Sequence, residues 1–150
     1  MTEQTRAWAL LAALALWGCK PKPPELRDGL LKQAIAHGGA AVFRSHDGRP
    51  FGMDGDVDVV FFPDSTAALL RYSANLTCHW GVFAIGERDT VMTDFPSSQE
   101  TWPLLVVVRD GDALRLQPEA EQPSRSWPFR LLAGEESQRS LENVKQNCSP

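Results

Sequence analysis

Residues 104–117 read LLVVVRDGDALRLQ, an apolar run, a polar turn and a second run in which apolar and polar side chains alternate. Asp110-Gly111 between two such runs is a tight-hairpin signal, because glycine enters the left-handed backbone region that hairpin turns use without steric cost. Over ALRLQ (113–117) the period is two, so Leu114 and Leu116 face one way and Arg115 and Gln117 the other. Strand, turn and strand are thus legible in one stretch, and the same pattern recurs along most of the chain.

Working outward, strands are expected at AAVFRS (40–45), VDVVFF (57–62), ALLRYS (68–73), CHWGVFAI (78–85), TVMTDF (90–95) and WPFRLL (127–132), besides the two of the opening hairpin. HDGRP (46–50), PDST (63–66) and GERD (86–89) supply turn residues between them. Short links between consecutive strands favour antiparallel pairing over crossover helices. In DVDVVFF, Asp56 and Asp58 are expected on one side and Val57 and Val59 on the core side. ELRDGLLKQAIAH (25–37) carries Leu26, Leu30, Leu31, Ala34 and Ile35 at helical spacing with Gly38 and Gly39 as a stop, although Gly29 weakens its middle. Near the end, Leu141, Val144 and Cys148 share one helical face. The expected fold is mainly β: an antiparallel meander or small barrel of seven to eight strands, with a short N-terminal helix and a short C-terminal helix.

The chain has 150 residues, enough for one core and little more, so residues 25–150 are read as a single β-rich domain with a C-terminal tail. Its net charge of −4 and the absence of any basic block argue against a nucleic-acid partner. Five Trp and seven Phe against one Tyr suit a small β-rich core and equally a binding surface.

Residues 7–17, AWALLAALALW, form an uncharged apolar run behind the short polar head MTEQTR. As a helix this run spans about 16 Å, half of a ~30 Å hydrocarbon core, the length of a signal-peptide core and too short to cross a membrane. KPKPPE (20–25) cannot continue a helix. Leu16-Trp17-Gly18-Cys19 resembles the lipobox of bacterial lipoprotein signal peptides, an aliphatic residue three places before a cysteine and a small residue just ahead of it. Trp17 stands where that pattern usually has a small residue.

The resemblance implies a signal peptide at 1–18, a lipid on Cys19 with residues 19–24 as lysine–proline spacer, and a location in the bacterial cell envelope. The protein would then be lipid-anchored, its partner the membrane, its domain facing periplasm or exterior. Several acyl chains give stable anchoring where a single chain does not. Secretion with cleavage near this point, and a retained N-terminal helix, are the other readings. With Cys19 assigned to lipid, Cys78 and Cys148 are the remaining pair. An oxidising compartment would let them bridge across about 70 residues, a closure worth about 4 kcal/mol in the chain-entropy model. The alternative is a buried thiol at Cys78 and a frayed tail carrying Cys148.

Candidate chemistry is sparse. DGDVD (54–58) fails as an EF-hand loop, with Val59 where glycine is required and Ser65 where glutamate is required, so it is read as a solvated turn entering a strand and no metal site is assigned. His37, His46 and His79 are the histidines; no G-x-S-x-G places a nucleophile beside one, and Cys78 and His79 point to opposite faces of a strand. No Gly-rich loop supports a nucleotide or other cofactor. Catalytic residues are therefore not assigned, and the protein is expected not to be an enzyme. Trp80, Trp102 and Trp127 are the most informative aromatics, the last two each preceding a proline at a strand entrance; their first reading is as core, capping its end, and their second as a binding surface.

The meander through GVFAIGERDTVMTDF (81–95) and WPLLVVVRDGDALRL (102–116) resembles small bacterial lipoproteins of the lipocalin-like and META/HslJ-like kinds. That resemblance implies a barrel-like domain and carries over no functional residue. The expected function is a membrane-tethered binding or structural module with a protein or small-molecule ligand. Two alternatives stand beside it: an inhibitor-like domain entering a secreted enzyme through the 94–102 loop, DFPSSQETW, and a hydrolase of unknown substrate.

Overall fold

A computed structural model describes residues 29–45, 55–98, 102–119 and 129–148. The sequence-predicted turn 46–50, residues 25–28 of the helix expected at 25–37, and the leader with Cys19 lie outside the described residues. So does Trp127.

Eight antiparallel strands in sequence order form a closed barrel. They are β1 (Ala41–Ser45), β2 (Asp56–Phe61), β3 (Thr66–Tyr72), β4 (Leu76–Ile85), β5 (Thr90–Asp94), β6 (Leu105–Asp110), β7 (Ala113–Pro118) and β8 (Phe129–Leu131). Closure comes from β8, which pairs with β7 through Arg115↔Arg130 and Leu116↔Phe129 and with β1 through Phe43↔Leu131 and Arg44↔Arg130. The expected mainly β fold, a meander or small barrel of seven to eight strands with a short helix at each end, is observed as a barrel of eight.

The opening hairpin forms β6 and β7 in the register Val107↔Leu116, Arg109↔Leu114 and Asp110↔Ala113. Because Asp110 is itself paired, the two-residue turn is Gly111-Asp112, and Gly111 takes the positive φ of 59°. Glycine at the first central position is the requirement of a type II′ turn.

Two apolar clusters share the strands. Inward-facing Phe43, Val57, Val59, Phe61, Leu69, Phe83, Val91, Leu105, Leu116 and Phe129 fill the barrel. An eight-stranded barrel has an interior that side chains of this size can occupy fully. Helix α1 (Leu30–Gly38) adds Leu31 and Ile35 to the same cluster and closes the end that carries the β2–β3, β4–β5 and β6–β7 turns.

The second cluster lies outside the wall. Val42, Val60, Ala68 and Leu70 are covered by Leu132 and by Val144 and Cys148 of helix α2 (Gly134–Asn147) and the residue after it, with Leu141 partly buried alongside. β1, β2 and β3 are therefore buried on both faces, the reason VDVVFF reads as an almost continuous apolar run instead of an alternating one.

Gly29 does not weaken a helix interior. It is the N-cap of α1, which starts at Leu30, later than the sequence-predicted start. Since glycine has no side chain to cap with, Asp89 from the 3-10 turn Glu87–Asp89 supplies the cap: its Oδ1 accepts the Leu30 N–H at 2.7 Å. A Cβ on Gly29 would strike that carboxylate.

Candidate functional site

A buried polar centre lies where α2 crosses the outside of the barrel. Asp58 is 0% exposed, opposite Arg44 in the β1–β2 register. The Arg44 guanidinium donates to it twice, Nε to Oδ1 at 2.7 Å and Nη2 to Oδ2 at 2.9 Å. Tyr72 donates its hydroxyl to Oδ2 at 2.8 Å, and Ser140 of α2 donates to the same oxygen. Asn143, one helical turn on, donates to the Tyr72 oxygen at 3.2 Å, and the guanidinium sits over the Tyr72 ring at 5.1 Å.

The expected solvated Asp58 is thus corrected. It faces outward as the alternation predicts, but α2 lies over that face. The bond to Asp58, followed by its charge, holds the Arg44 pKa well above the ordinary arginine value, so this group is always charged. Burial raises the Tyr72 phenol, partly offset by its bonds to Ser140 and Asn143. With donors on both oxygens, one of them from Ser140 of α2, this carboxylate positions the helix on the barrel wall.

The disulfide Cys78–Cys148 ties the end of α2 to β4, with Cα atoms 5.2 Å apart. Helix α2 is therefore held at Ser140, Val144 and Cys148 along one face.

The other end of the barrel collects the longer connections, β1–β2, β5–β6 and β7–β8. Phe95, at the exit of β5, turns into the barrel and is 3% exposed. Trp102 returns from the far side of the 94–102 loop with its ring 5.4 Å from Phe95 and 6.2 Å from Phe129. The described tip residues Pro96 and Ser97 are exposed, so the segment is anchored at both ends by rings. Gly81 permits this turn, since a Cβ there would strike the Asp94 carbonyl and the Phe95 ring.

His79 pairs with Leu69 on the inner side of β4, and its Nδ1 lies 2.9 Å from the Ser97 hydroxyl. Cys78, its neighbour, belongs to the outer cluster, the opposite-face arrangement expected for adjacent strand residues. A hydroxyl–imidazole contact becomes a nucleophile–base couple only when a third group orients the ring. Among the described residues no carboxylate bonds to His79, and no group of three or more His, Cys, Asp or Glu side chains lies placed to hold a metal ion.

Trp80 is half-buried in the outer cluster beside Phe62, ring centroids 5.7 Å apart, with its indole N–H buried and unpartnered among the described residues. The Thr93 hydroxyl is in the same condition. Val82 and Met92 on the outer face of β4 and β5 are 55% and 56% exposed.

Sequence reasoning missed the Arg44–Asp58–Tyr72–Ser140 centre and the His79–Ser97 contact. The first had a faint signal: AVFRS and VDVVF each carry one charge, of opposite sign, in an otherwise apolar strand. The second joins residues 18 apart through a loop crossing and has no sequence signature.

No family model, curated protein or solved structure matches the chain. Fold and site together define an antiparallel eight-stranded barrel with a filled interior and an externally pinned helix, a scaffold consistent with a binding or structural module.

Proposed function

We propose that the protein is a bacterial envelope lipoprotein, cleaved ahead of Cys19 and anchored there by lipid, whose barrel acts as a non-catalytic protein-binding module facing the periplasm or exterior. The observation that carries this reading is the pairing of Cys78 with Cys148. A bridge between them calls for an oxidising compartment and leaves Cys19, in the lipobox-like Leu16-Trp17-Gly18-Cys19, as the one cysteine of the chain outside the bond. The filled interior supports recognition through the outer surface and rim in preference to cargo carried inside.

Anchorage of the 94–102 loop by Phe95 and Trp102 favours a second reading, an inhibitor-like domain presenting that loop to a secreted enzyme. A loop held at both ends loses less entropy on binding than a free one. Intact and peptide mass spectrometry of protein extracted from its native membrane tests the first reading. The expected result is a mature chain starting at a diacylglyceryl-modified, N-acylated Cys19, with Cys78 and Cys148 in one cross-linked peptide. Leader residues still attached, with a free Cys19 thiol, would overturn it.

A further inference from the structure

Among the described residues three large apolar side chains stand exposed: Val82 at 55%, Met92 at 56% and Leu104 at 39%. They share one face. Ala84 pairs with Met92 and Val82 with Asp94, so Val82 and Met92 point outward from adjacent strands. The β5–β6 register Thr90↔Val106 and Val91↔Leu105, continued by one residue, sets Met92 beside Leu104. Leu104 lies in line with β6, its carbonyl accepting the Glu119 N–H at 2.9 Å, and it faces outward because its neighbour Leu105 is buried inside the barrel. An apolar stripe therefore crosses β4, β5 and the entrance of β6, away from the β1–β3 wall that α2 covers.

The segment that would carry the anchor joins the barrel beside this stripe. Helix α1 begins at Leu30, whose N–H is bonded to Asp89 at 2.7 Å, and Gly29 lies so close that a Cβ on it would strike the same carboxylate. Asp89 immediately precedes β5 and stands three residues before Met92, about 10 Å along the strand. The ten residues between Cys19 and Leu30 span at most about 35 Å. A lipid on Cys19 thus keeps the β4–β5 connection within that distance of a bilayer, and the stripe starts at this connection.

We propose that the Val82–Met92–Leu104 face rests on the bilayer that holds the anchor, its three side chains entering the boundary between headgroups and acyl chains. The proposal rests on the membrane-anchored reading. Three part-exposed side chains are too few for the ~800 Å² per partner that a stable protein–protein interface buries. A membrane contact needs less, because the anchor holds the face at high effective concentration beside the surface. Exposed charges near the stripe are few and of both signs, Glu87 and Arg88 at the tether end and Asp94 and Glu119 at the far end. With no basic cluster to read anionic headgroups, the contact follows the apolar area it buries and not the lipid charge. In this orientation α2, over β1–β3, faces away from the membrane.

A photoreactive amino acid in place of Met92 of the full chain, irradiated in native membranes, tests the contact, with the same group at exposed Gln138 on α2 as the control position. The expected product is a phospholipid adduct at position 92, at about tenfold or more the yield at 138. Val82→Glu with Leu104→Glu, both on the exposed stripe, lowers that adduct about fivefold or more, with the barrel's circular dichroism retained. Should that double variant fail to fold, the comparison of positions 92 and 138 in the otherwise native chain still decides. No lipid adduct at 92, equal yields at both positions, or a product dominated by a second copy or a different polypeptide would each overturn the membrane contact. Lipid on Cys19 is read by mass in the same sample. A lipidated chain without the adduct removes the contact and leaves the anchored reading standing; an unlipidated chain that still gives it overturns the anchored reading and leaves the contact.

Discussion

Replacing Asp58 with asparagine changes one oxygen to an amide nitrogen and removes a charge from a fully buried site. The Arg44 side chain, 16% exposed, then keeps its charge with its counter-ion gone, since a guanidinium does not give up its proton in proteins even without a partner. Breaking a buried ion pair from one side costs about 3–5 kcal/mol. The residual water access of Arg44 places the expected loss near the lower end, about 3 kcal/mol, a large fraction of the roughly 5–15 kcal/mol by which domains are stable. The melting temperature should fall by about 6–12 °C. Urea unfolding followed by tryptophan fluorescence reads the loss as a lower midpoint with an unchanged slope. The companion double variant Asp58→Leu, Arg44→Met removes both charges together and should recover part of the loss, because an apolar pair avoids the desolvation that the ion pair suffers, while the Tyr72 and Ser140 hydroxyls that lose their acceptor keep it about 1–2 kcal/mol below the parent. A cost below about 1 kcal/mol for Asp58→Asn, or a double variant as unstable as the sum of its singles, would refute the buried ion-pair account.

Three further outcomes are expected. Tyr72 is the one tyrosine of the chain, so phenolate absorbance reports it alone. Its phenol is raised above 10.0, mainly by burial, so the stability linked to it is complete below pH 10 and is lost as pH rises from there through the folded-state pKa; a phenolate transition at or below that of the urea-unfolded chain would contradict this. Cys78→Ser with Cys148→Ser opens a closure spanning 70 residues and should lower unfolding free energy by about 4 kcal/mol, measured by urea titration against the oxidised parent. Gly81→Ala drives a Cβ into the Asp94 carbonyl and should cost about 1–3 kcal/mol, visible in the same titration and as altered fluorescence of Trp102 beside Phe95.

Strand positions were legible because most strands advertise themselves locally, through β-branched runs bounded by turn residues. β6 and β7 lie within a residue of LLVVVR and ALRLQ, and β1 and β5 within a residue of AAVFRS and TVMTDF. Barrel closure was not legible: it rests on β8, three residues long, pairing with both β7 and β1, a contact no local pattern encodes. Asp58 shows the same limit from the side of chemistry. Its outward direction follows from the period of two, but its burial depends on a helix some 80 residues later settling on that face. Gly29 was misplaced because propensity treats glycine as a helix breaker wherever it falls. Here the missing side chain makes room for the distant carboxylate that caps the helix.

The barrel wall divides at a single residue of β4. On one side of Gly81 the strand is backed by α2 through Cys78, with Trp80 packed on Phe62, and that region is fixed by the bridge, the Asp58 centre and the outer cluster together. On the other side the outer face carries exposed Val82 and Met92 with no described helix over them. Because Cys78 belongs to the fixed side, cutting its bond to Cys148 frees the end of α2 over the outer cluster and leaves the Val82–Met92 face unchanged. Reduction should therefore raise proteolytic cutting within α2 while the barrel is still folded, and equal cutting in the oxidised and reduced protein would show that the Asp58 centre and the outer cluster hold the helix without the bridge.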